Sequence, residues 1–125
     1  MIAVMEKKLG LPLADQDIFL NAVGGVRATE PAADLALAAA LLSSFTDRPV
    51  ASTTLLFGEV GLAGEVRRVS RADARFSEAA RLGFSRVIAP ASNVESASAP
   101  NGLTVKGIAH VKQLASILFG DEEDR

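Results

Sequence analysis

The chain has 125 residues, which is enough for one domain with a hydrophobic core of its own. Hydrophobic residues make up 49% and charged residues 22%, as is ordinary for a globular protein. There is no cysteine and only one histidine, His110. Disulfides and thiolate metal sites are therefore excluded, and no histidine-based metal site is expected.

A membrane span is not expected either. The longest apolar run, residues 31–45, is shorter than the roughly 20 residues that cross a bilayer, and it contains Asp34. The first residues lack the charged and apolar regions of a signal peptide. We expect a cytoplasmic protein without membrane contact. Residues 1–10 resemble the end of a helix stopped by Gly10, so we expect the chain to be a fragment of a longer protein.

The net charge of −2 hides an uneven distribution of charge. Residues 121–125 hold four acids and one base, so 12 basic and 11 acidic residues remain in the domain, 1–120. This tail is predicted to be a solvated terminus. Residues 61–90 hold only three acids but six arginines: Arg67, Arg68, Arg71, Arg75, Arg81 and Arg86. Such a local excess of positive charge can attract a polyanion.

The first half of the chain predicts one strand and one long helix, followed by another strand. The composition of residues 17–23 favours a strand before Gly24 and Gly25. Thr29 and Pro31 are typical of a helix start, and the nearly apolar residues 32–45 predict a buried helix that ends near residues 47–49. Residues 53–57 predict the second strand.

The second half predicts a hairpin followed by alternating helices and strands. Small and apolar residues at helical spacing predict a helix over 72–82 that ends at Gly83. Residues 92–101 predict mostly loop with at most one helical turn, and a final helix is predicted with Ile108 on its apolar face. The predicted strands are residues 65–69, 84–89 and 103–106. The fold class is predicted to be α+β, with a mixed sheet packed against helices.

Two long motifs carry a resemblance to a known family. Gly24-Gly25-Val26 followed by Glu30-Pro-Ala-Ala-Asp-Leu-Ala36 is the first, and Gly58-Glu-Val-Gly-Leu-Ala-Gly-Glu-Val-Arg67 is the second. The second continues through residues 69–71 and 78–84. Together they resemble the C-terminal Lon-protease-like domain of the bacterial RadA/Sms DNA-repair ATPases, over about residues 2–119. The resemblance implies a Lon-like catalytic-domain fold over residues 1–120.

The resemblance also implies what the rest of such a protein would contain. Members of this family are similar to hexameric motor proteins with a four-cysteine zinc finger and a RecA-like ATPase core. Neither the cysteines nor a phosphate-binding loop occurs in this sequence. ATP, magnesium and zinc are therefore expected only outside these residues, in a protein that would be a DNA-dependent ATPase. For this domain the resemblance leaves self-assembly, as a homo-oligomer, and contact with DNA.

The comparison with Lon proteases implies that the peptidase chemistry has been lost. Those enzymes use a serine nucleophile activated by a lysine, because a hydroxyl attacks poorly until a base takes its proton. Aligning the motifs places Ala32 at the serine position and Asp73 at the lysine position. A methyl group cannot attack a carbonyl, so we predict no catalytic residues. An active peptidase with an unrecognised nucleophile, Ser43 or Ser44, is the alternative, although hydroxyls bonded back to the helix are favoured.

For Arg67, Arg68, Arg71 and Arg75, two interpretations remain open. They can form a DNA-contacting stripe, with Arg68, Arg71 and Arg75 on one helix face if the helix begins early enough. If 66–69 is a strand instead, Arg67 and Arg68 face opposite ways. Solvated arginines, or ion pairs between subunits with Glu30, Asp34 or Glu59, are the alternative, and the domain is then purely an oligomerisation module.

The remaining polar and glycine residues have structural interpretations. Asp34 is predicted to cap its helix or to pair across an interface. His110 is predicted to lie at the surface within the last helix, without a chemical role. Gly58, Gly61 and Gly64 are predicted to serve turns and close packing. The function that these observations favour is a non-proteolytic scaffold that supports ring assembly and contacts DNA.

Overall fold

A parallel three-stranded sheet with helices on both faces organises residues 31–120, the part of the chain that the computed structural model describes. The strands lie in the order β1-β4-β5, and β2 and β3 form a separate antiparallel pair. The helices are α1 (Asp34–Thr46), α2 (Ala72–Arg81), α3 (Ala91–Ser96) and α4 (Leu114–Phe119). The strands are β1 (Thr54–Leu56), β2 (Glu59–Val60), β3 (Val66–Arg67), β4 (Arg86–Pro90) and β5 (Thr104–Ile108). Short 3-10 turns, Pro31–Ala33 and Val111–Gln113, precede α1 and α4.

The two faces of the sheet bury separate clusters of apolar side chains. On one face, the leucines of α1 pack with Ile88, Ile108 and Leu114. On the other face, Phe76 of α2 packs with Phe57 and Val87. Apolar residues on both faces are what a parallel sheet requires, because helices cover each side. The α+β prediction is confirmed in its general form. A hairpin does lie in the middle of the chain, but its first strand is β2 and not the predicted strand at 53–57, which pairs with β4 instead.

The start of α1 is fixed by the backbone of Gly58. The Gly58 amide donates to the carbonyl of Ala32, and the Leu35 amide donates to the carbonyl of Gly58, both at 2.9 Å. A Cβ atom at Gly58 would lie 3.1 Å from Val66 Cγ1 and 3.2 Å from a ring carbon of Pro90. Close packing therefore requires glycine at this position, as predicted, and it brings the second motif against the first.

Two predicted strands have different bounds in the structure. The Phe84 amide donates to the carbonyl of Ala79 at 3.0 Å, after Gly83 with φ +95°, so Phe84 completes the end of α2. Strand β4 therefore begins at Arg86 instead of Phe84. Strand β3 ends at Arg67 because the backbone then turns away from β2, and the Val69 amide donates to the side chain of Asn93 in α3.

The prediction for the C-terminal third was wrong in two places. Residues 91–96 form helix α3, which begins earlier and is longer than the single helical turn predicted within 92–101. A Cβ at Gly107 would lie 3.0 Å from the backbone of Ala91, so this helix and strand β5 pack in close contact. Ile108 ends β5, where it pairs with Pro90, and does not belong to the last helix. The predicted helix end at 1–10, the predicted strand at 17–23 and the acidic tail lie outside the described residues.

Candidate functional site

A groove of about 640 Å³ lies beside Ala32, the residue predicted to stand at the position of a Lon nucleophile. The 3-10 turn before α1 and strand β1 form one side of this groove, and α2 forms the other. Among the described residues that line it, the charged side chains are Arg71, Arg75 and Glu78, and none carries a hydroxyl or an amine. The buried methyl group of Ala32 thus faces a site without a nucleophile or a neutral base.

Asp73 does not join Ala32 in this groove. Arg71, just before α2, borders the groove together with Arg75 and Glu78 of α2, whereas Asp73 lines a separate surface pocket beside α3. There its carboxylate accepts a hydrogen bond of 3.0 Å from the Ser98 amide. An anion fixed to a backbone amide on another surface cannot take a proton from a group beside Ala32.

Ser43 and Ser44, the alternative nucleophiles, lie in the last turns of α1, which ends at Thr46. The Ser43 hydroxyl donates forward across the helix end, to the carbonyl of Arg48 at 2.6 Å, and not back to the preceding turn as predicted. A backward bond of that kind is made by Thr46, to the carbonyl of Leu42 at 2.6 Å. The helix C-terminus disfavours an alkoxide because its dipole is negative there. Both serines border a shallow pocket whose described lining contains no histidine or lysine that could activate them.

The four predicted arginines do not lie on one helix face. Helix α2 begins at Ala72, after Arg67 and Arg68, so the early helix start that the stripe required is wrong. Arg67 ends strand β3 and forms an ion pair of 2.7 Å with Glu65. Arg75 lies over the Phe57 ring, 5.6 Å from its centroid, and its Nε donates to the Ser70 carbonyl at 3.0 Å. Both guanidinium groups therefore already have partners within the domain.

Arg68 and Arg71 are the two arginines of this set that form neither an ion pair nor a ring contact within the described part of the chain. Both are exposed and border the pocket that contains Asp73. Within the described part of the chain, Arg68 Nη2 donates a long hydrogen bond of 3.5 Å to the Ser96 hydroxyl. Arg71 precedes α2 in the left-handed conformation, with φ +63°. The two guanidinium groups and the amino-terminal end of α2 together give this surface a positive potential.

Asn93 holds the segment that carries these two arginines, a role that the sequence did not predict. It is 1% exposed, and its side chain makes both backbone hydrogen bonds that a neighbouring strand would make to Val69. Oδ1 accepts from the Val69 amide at 2.8 Å, and Nδ2 donates to the Val69 carbonyl at 3.0 Å. Val69 lies between Arg68 and Arg71, so Asn93 fixes the direction in which both side chains leave the domain.

Asp34 connects α1 to the hairpin instead of capping its own helix. Its carboxylate accepts a hydrogen bond of 3.1 Å from the Val60 amide. Burial raises the pKa of Asp34 above its ordinary value; the Val60 hydrogen bond opposes this shift, and the nearby charge of Glu59 adds to it. The charged form is therefore less favourable in the folded chain than in the unfolded chain.

We expect Asp34→Asn to stabilise the domain at neutral pH. Because the folded pKa is raised, the stability that Asp34 contributes is present at low pH and is lost as the pH rises through that pKa. The amide oxygen of asparagine can still accept from Val60, without a buried charge. Chemical denaturation at pH 7 should show a higher unfolding midpoint for the variant, and the difference should shrink below pH 4.

Asp73→Asn is the matched control, because Asp73 also accepts from a backbone amide but is exposed at the start of α2. Its carboxylate interacts favourably with the helix dipole, so the control should lower the midpoint slightly. A midpoint for Asp34→Asn below that of the unchanged chain at pH 7 would contradict the expectation.

His110 is a structural residue at the edge of the fold, outside the last helix in which it was predicted. Its Nε2 lies 3.0 Å from the Ala63 carbonyl, and its Nδ1 accepts from the Lys112 amide at 3.1 Å. These contacts assign the neutral form with the proton on Nε2. A backbone bridge between Glu65 and His110 joins the hairpin to the end of β5.

Residues 31–120 contain no group of three or more histidine or acidic side chains that could hold a metal ion. In the same range, no helix combines the length and the apolar character that a membrane span requires.

Comparisons with known proteins place the chain in a family. A family model described as subunit ChlI of Mg-chelatase matches residues 3–93, and the chain belongs to that family. It is also similar to proteins named DNA repair protein RadA. The relative from Bacillus subtilis is 49% identical over 120 residues, which are 96% of this chain and 26% of that protein.

Two further relatives carry the same name and match nearly the whole chain. The RadA protein of Escherichia coli is 48% identical over 94% of the chain and 25% of that protein, and the one from Streptococcus pyogenes serotype M1 is 43% identical over 95% of the chain and 26% of that protein. The chain thus spans about a quarter of the length of these curated relatives.

Proposed function

We propose that this chain is the Lon-like domain of a cytoplasmic RadA-type DNA recombination and repair protein, and that it works without proteolysis. In this proposal the domain supports assembly of a ring and contacts DNA. The similarity to RadA repair proteins over almost the whole chain supports the repair context. The observation that carries the non-proteolytic role is the separation of Ala32 and Asp73, which border different pockets, so that no serine–lysine dyad or substitute for it is assembled at these two positions.

The DNA contact is proposed for Arg68 and Arg71, with Arg67 and Arg75 in supporting positions. Phosphate groups bind guanidinium groups through charge-assisted hydrogen bonds, and arginine offers two parallel donors for them. Arg68 and Arg71 are exposed and are held by one buried asparagine at the positive end of α2. No tyrosine or tryptophan occurs in the chain, so backbone contact is favoured over base stacking.

We propose that ATP hydrolysis is carried out by the part of the protein that lies outside this chain. A DNA-dependent ATPase core with ATP and magnesium, and a zinc finger, would lie in the three quarters of the relatives that this chain does not span. The domain would then act as a scaffold in a homo-oligomer, with a hexamer as the proposed form.

Restoring a single hydroxyl tests whether the groove retains peptidase chemistry. Ala32→Ser places a hydroxyl at the nucleophile position, but the nearest ionisable groups of the groove are Arg71, Arg75 and Glu78. Arginine does not lose its proton in proteins, so Arg71 and Arg75 cannot serve as the base. The Glu78 carboxylate is bound to Arg81, whose hydrogen bond lowers the pKa of Glu78 and makes it a weaker base. We expect the variant to hydrolyse labelled casein no faster than the unchanged chain, with the products followed by mass spectrometry over 24 hours, roughly 10⁵ s, a window that detects very slow turnover.

The control is the double variant Ala32→Ser/Asp73→Lys, which supplies both residue types of the dyad. Turnover by the single variant would show that another base serves the groove, and it would overturn the proposed loss of chemistry. Turnover by the double variant alone would show that positions 32 and 73 can act together, and it would contradict the separation of the two positions on which the proposal rests.

A pure oligomerisation module is the second candidate function. The observation that favours it is that Arg67 and Arg75 are committed to Glu65, Phe57 and Ser70, which leaves fewer positive groups for a polyanion. In that case, replacing Arg68 and Arg71 would leave DNA affinity unchanged.

A further inference from the structure

The turn between β2 and β3 presents an apolar side chain to solvent on a firmly held backbone. Leu62 is 85% exposed, the highest value among the large hydrophobic residues of the described range. Around it, the Gly61 amide donates to the Glu65 carbonyl at 2.8 Å, and the Gly64 amide donates to the Gly61 carbonyl at 3.0 Å. An exposed leucine on a mobile loop needs no explanation, whereas one on a fixed turn is available for contact without an ordering cost.

Side chains also hold this turn. The Ala63 amide donates to the Glu65 carboxylate at 3.1 Å, and the Ala63 carbonyl lies 3.0 Å from His110 Nε2. The Val111 amide donates to the Gly64 carbonyl at 3.0 Å. The turn is thus attached to the residues that follow β5, at one edge of the sheet.

The groove beside Ala32 lies at the other edge of the same sheet. It borders β1, and β4 separates β1 from β5 in the sheet order. Its walls are mostly apolar, from alanines of α1 and α2 and from Leu55, Phe57 and Leu82. Leu82, itself 59% exposed, extends the apolar surface to the groove mouth. A leucine side chain matches this lining in size and polarity.

The charges around the two surfaces are complementary. Arg71 and Arg75 border the groove, against one acid, Glu78. The hairpin that carries Leu62 has Glu59 at its base and Glu65 after the turn, against one base, Arg67. An acidic hairpin beside a basic groove would be attracted in the correct orientation.

We propose that Leu62 of one copy inserts into the groove beside Ala32 of a second copy, with Glu59 of the first copy facing Arg71 of the second. This inference rests on the proposed ring assembly and names the contact that produces it. Because the two surfaces lie on opposite edges of the sheet, the contact is head-to-tail, and repetition by rotation closes a ring. One leucine and a few charges form a weak contact, so it acts at high local concentration.

Cysteine cross-linking tests this contact directly, because the unchanged chain contains no cysteine. Leu62→Cys is mixed with Ala74→Cys, which places a thiol on the groove side of α2, and the mixture is oxidised at high protein concentration. A mixed disulfide dimer should form at least about tenfold more than with Asn101→Cys as the partner, an exposed loop position. The double variant Leu62→Cys/Ala74→Cys should form a ladder of multimers.

Charge reversal adds a second arm. Arg71→Glu in the Ala74→Cys chain should reduce the mixed dimer, and Glu59→Arg in the Leu62→Cys chain should restore it. Equal cross-linking of Leu62→Cys with itself, with Ala74→Cys and with Asn101→Cys would overturn the proposal. Normal formation of a ring or other oligomer by Leu62→Asp would also overturn the proposal. The proposed scaffold function would then survive with a different interface. Leu62→Asp should retain DNA binding through Arg68, whereas Arg71→Glu should weaken both DNA binding and the contact, because Arg71 borders both surfaces.

Discussion

Replacing Asn93 with alanine is expected to lower the free energy of unfolding by about 2–4 kcal/mol. The substitution removes two hydrogen bonds to the Val69 backbone, at 2.8 Å and 3.0 Å, from a residue that is 1% exposed. Alanine leaves the Val69 amide and carbonyl without these partners and also creates a small cavity. Urea denaturation followed by circular dichroism measures the loss.

Asn101→Ala is the matched control, because the same atoms are removed from an exposed loop residue. Its effect should remain within about 0.5 kcal/mol. Asn93→Ala should also weaken DNA binding at temperatures where the domain stays folded, since Arg68 and Arg71 lose their fixed direction. A stability for Asn93→Ala equal to that of the control would show that Val69 finds its partners elsewhere.

The double variant Arg68→Gln/Arg71→Gln is expected to lower the affinity for duplex DNA about 100-fold at low salt. This magnitude corresponds to about tenfold for each lost charge-assisted hydrogen bond to phosphate. The slope of log affinity against log salt should become shallower by about two, because two fewer counterions are released. Fluorescence anisotropy with a labelled duplex at several salt concentrations measures both quantities.

Arg81→Gln/Lys106→Gln is the control, since it changes the net charge equally. Arg81 is exposed and paired with Glu78, and Lys106 is exposed on β5. The control should change affinity by less than about threefold, within the range of a general charge effect. If both double variants lose affinity equally, the binding is diffuse and the assignment to Arg68 and Arg71 is wrong. If neither loses affinity, the domain is an oligomerisation module.

The sequence predicted the elements whose local pattern agrees with their tertiary environment. Helix α2 was predicted over 72–82 and found at Ala72–Arg81, because its apolar spacing and Gly83 act together. The end of α1 near Asp47 was also predicted, and Asp47 adopts φ +58° there. Both helices carry their start and stop residues within the segment itself.

The sequence did not predict the elements that depend on distant contacts. Helix α3 is rich in serine and has a low intrinsic helix propensity, but its Asn93 bonds to Val69 and its Ala91 packs on Gly107. Ile108 fits the spacing of the last helix equally well as the register of β5, and pairing with Pro90 decides between them. The general lesson is that local periodicity cannot choose between two neighbouring elements that share a residue.

The candidate site, too, could be predicted from the sequence only in part. The identities of Ala32 and Asp73 predict the lack of a dyad, but only the fold reveals that the two positions border different pockets. Likewise, counting arginines predicts a basic region, whereas the separation of Arg67 from Arg68 depends on where β3 ends. No local sequence pattern predicts the role of Asn93, because a buried asparagine and a loop asparagine look alike in sequence.

The most direct test of the central claim, a Lon-like cleft without hydrolysis, is prolonged incubation of the pure, unchanged chain with labelled casein and mass spectrometry of the products. The account predicts no cleavage above the protein-free blank, and no difference between the unchanged chain and Ser43→Ala or Ser44→Ala. Cleavage by the unchanged chain that disappears in either serine variant would contradict it.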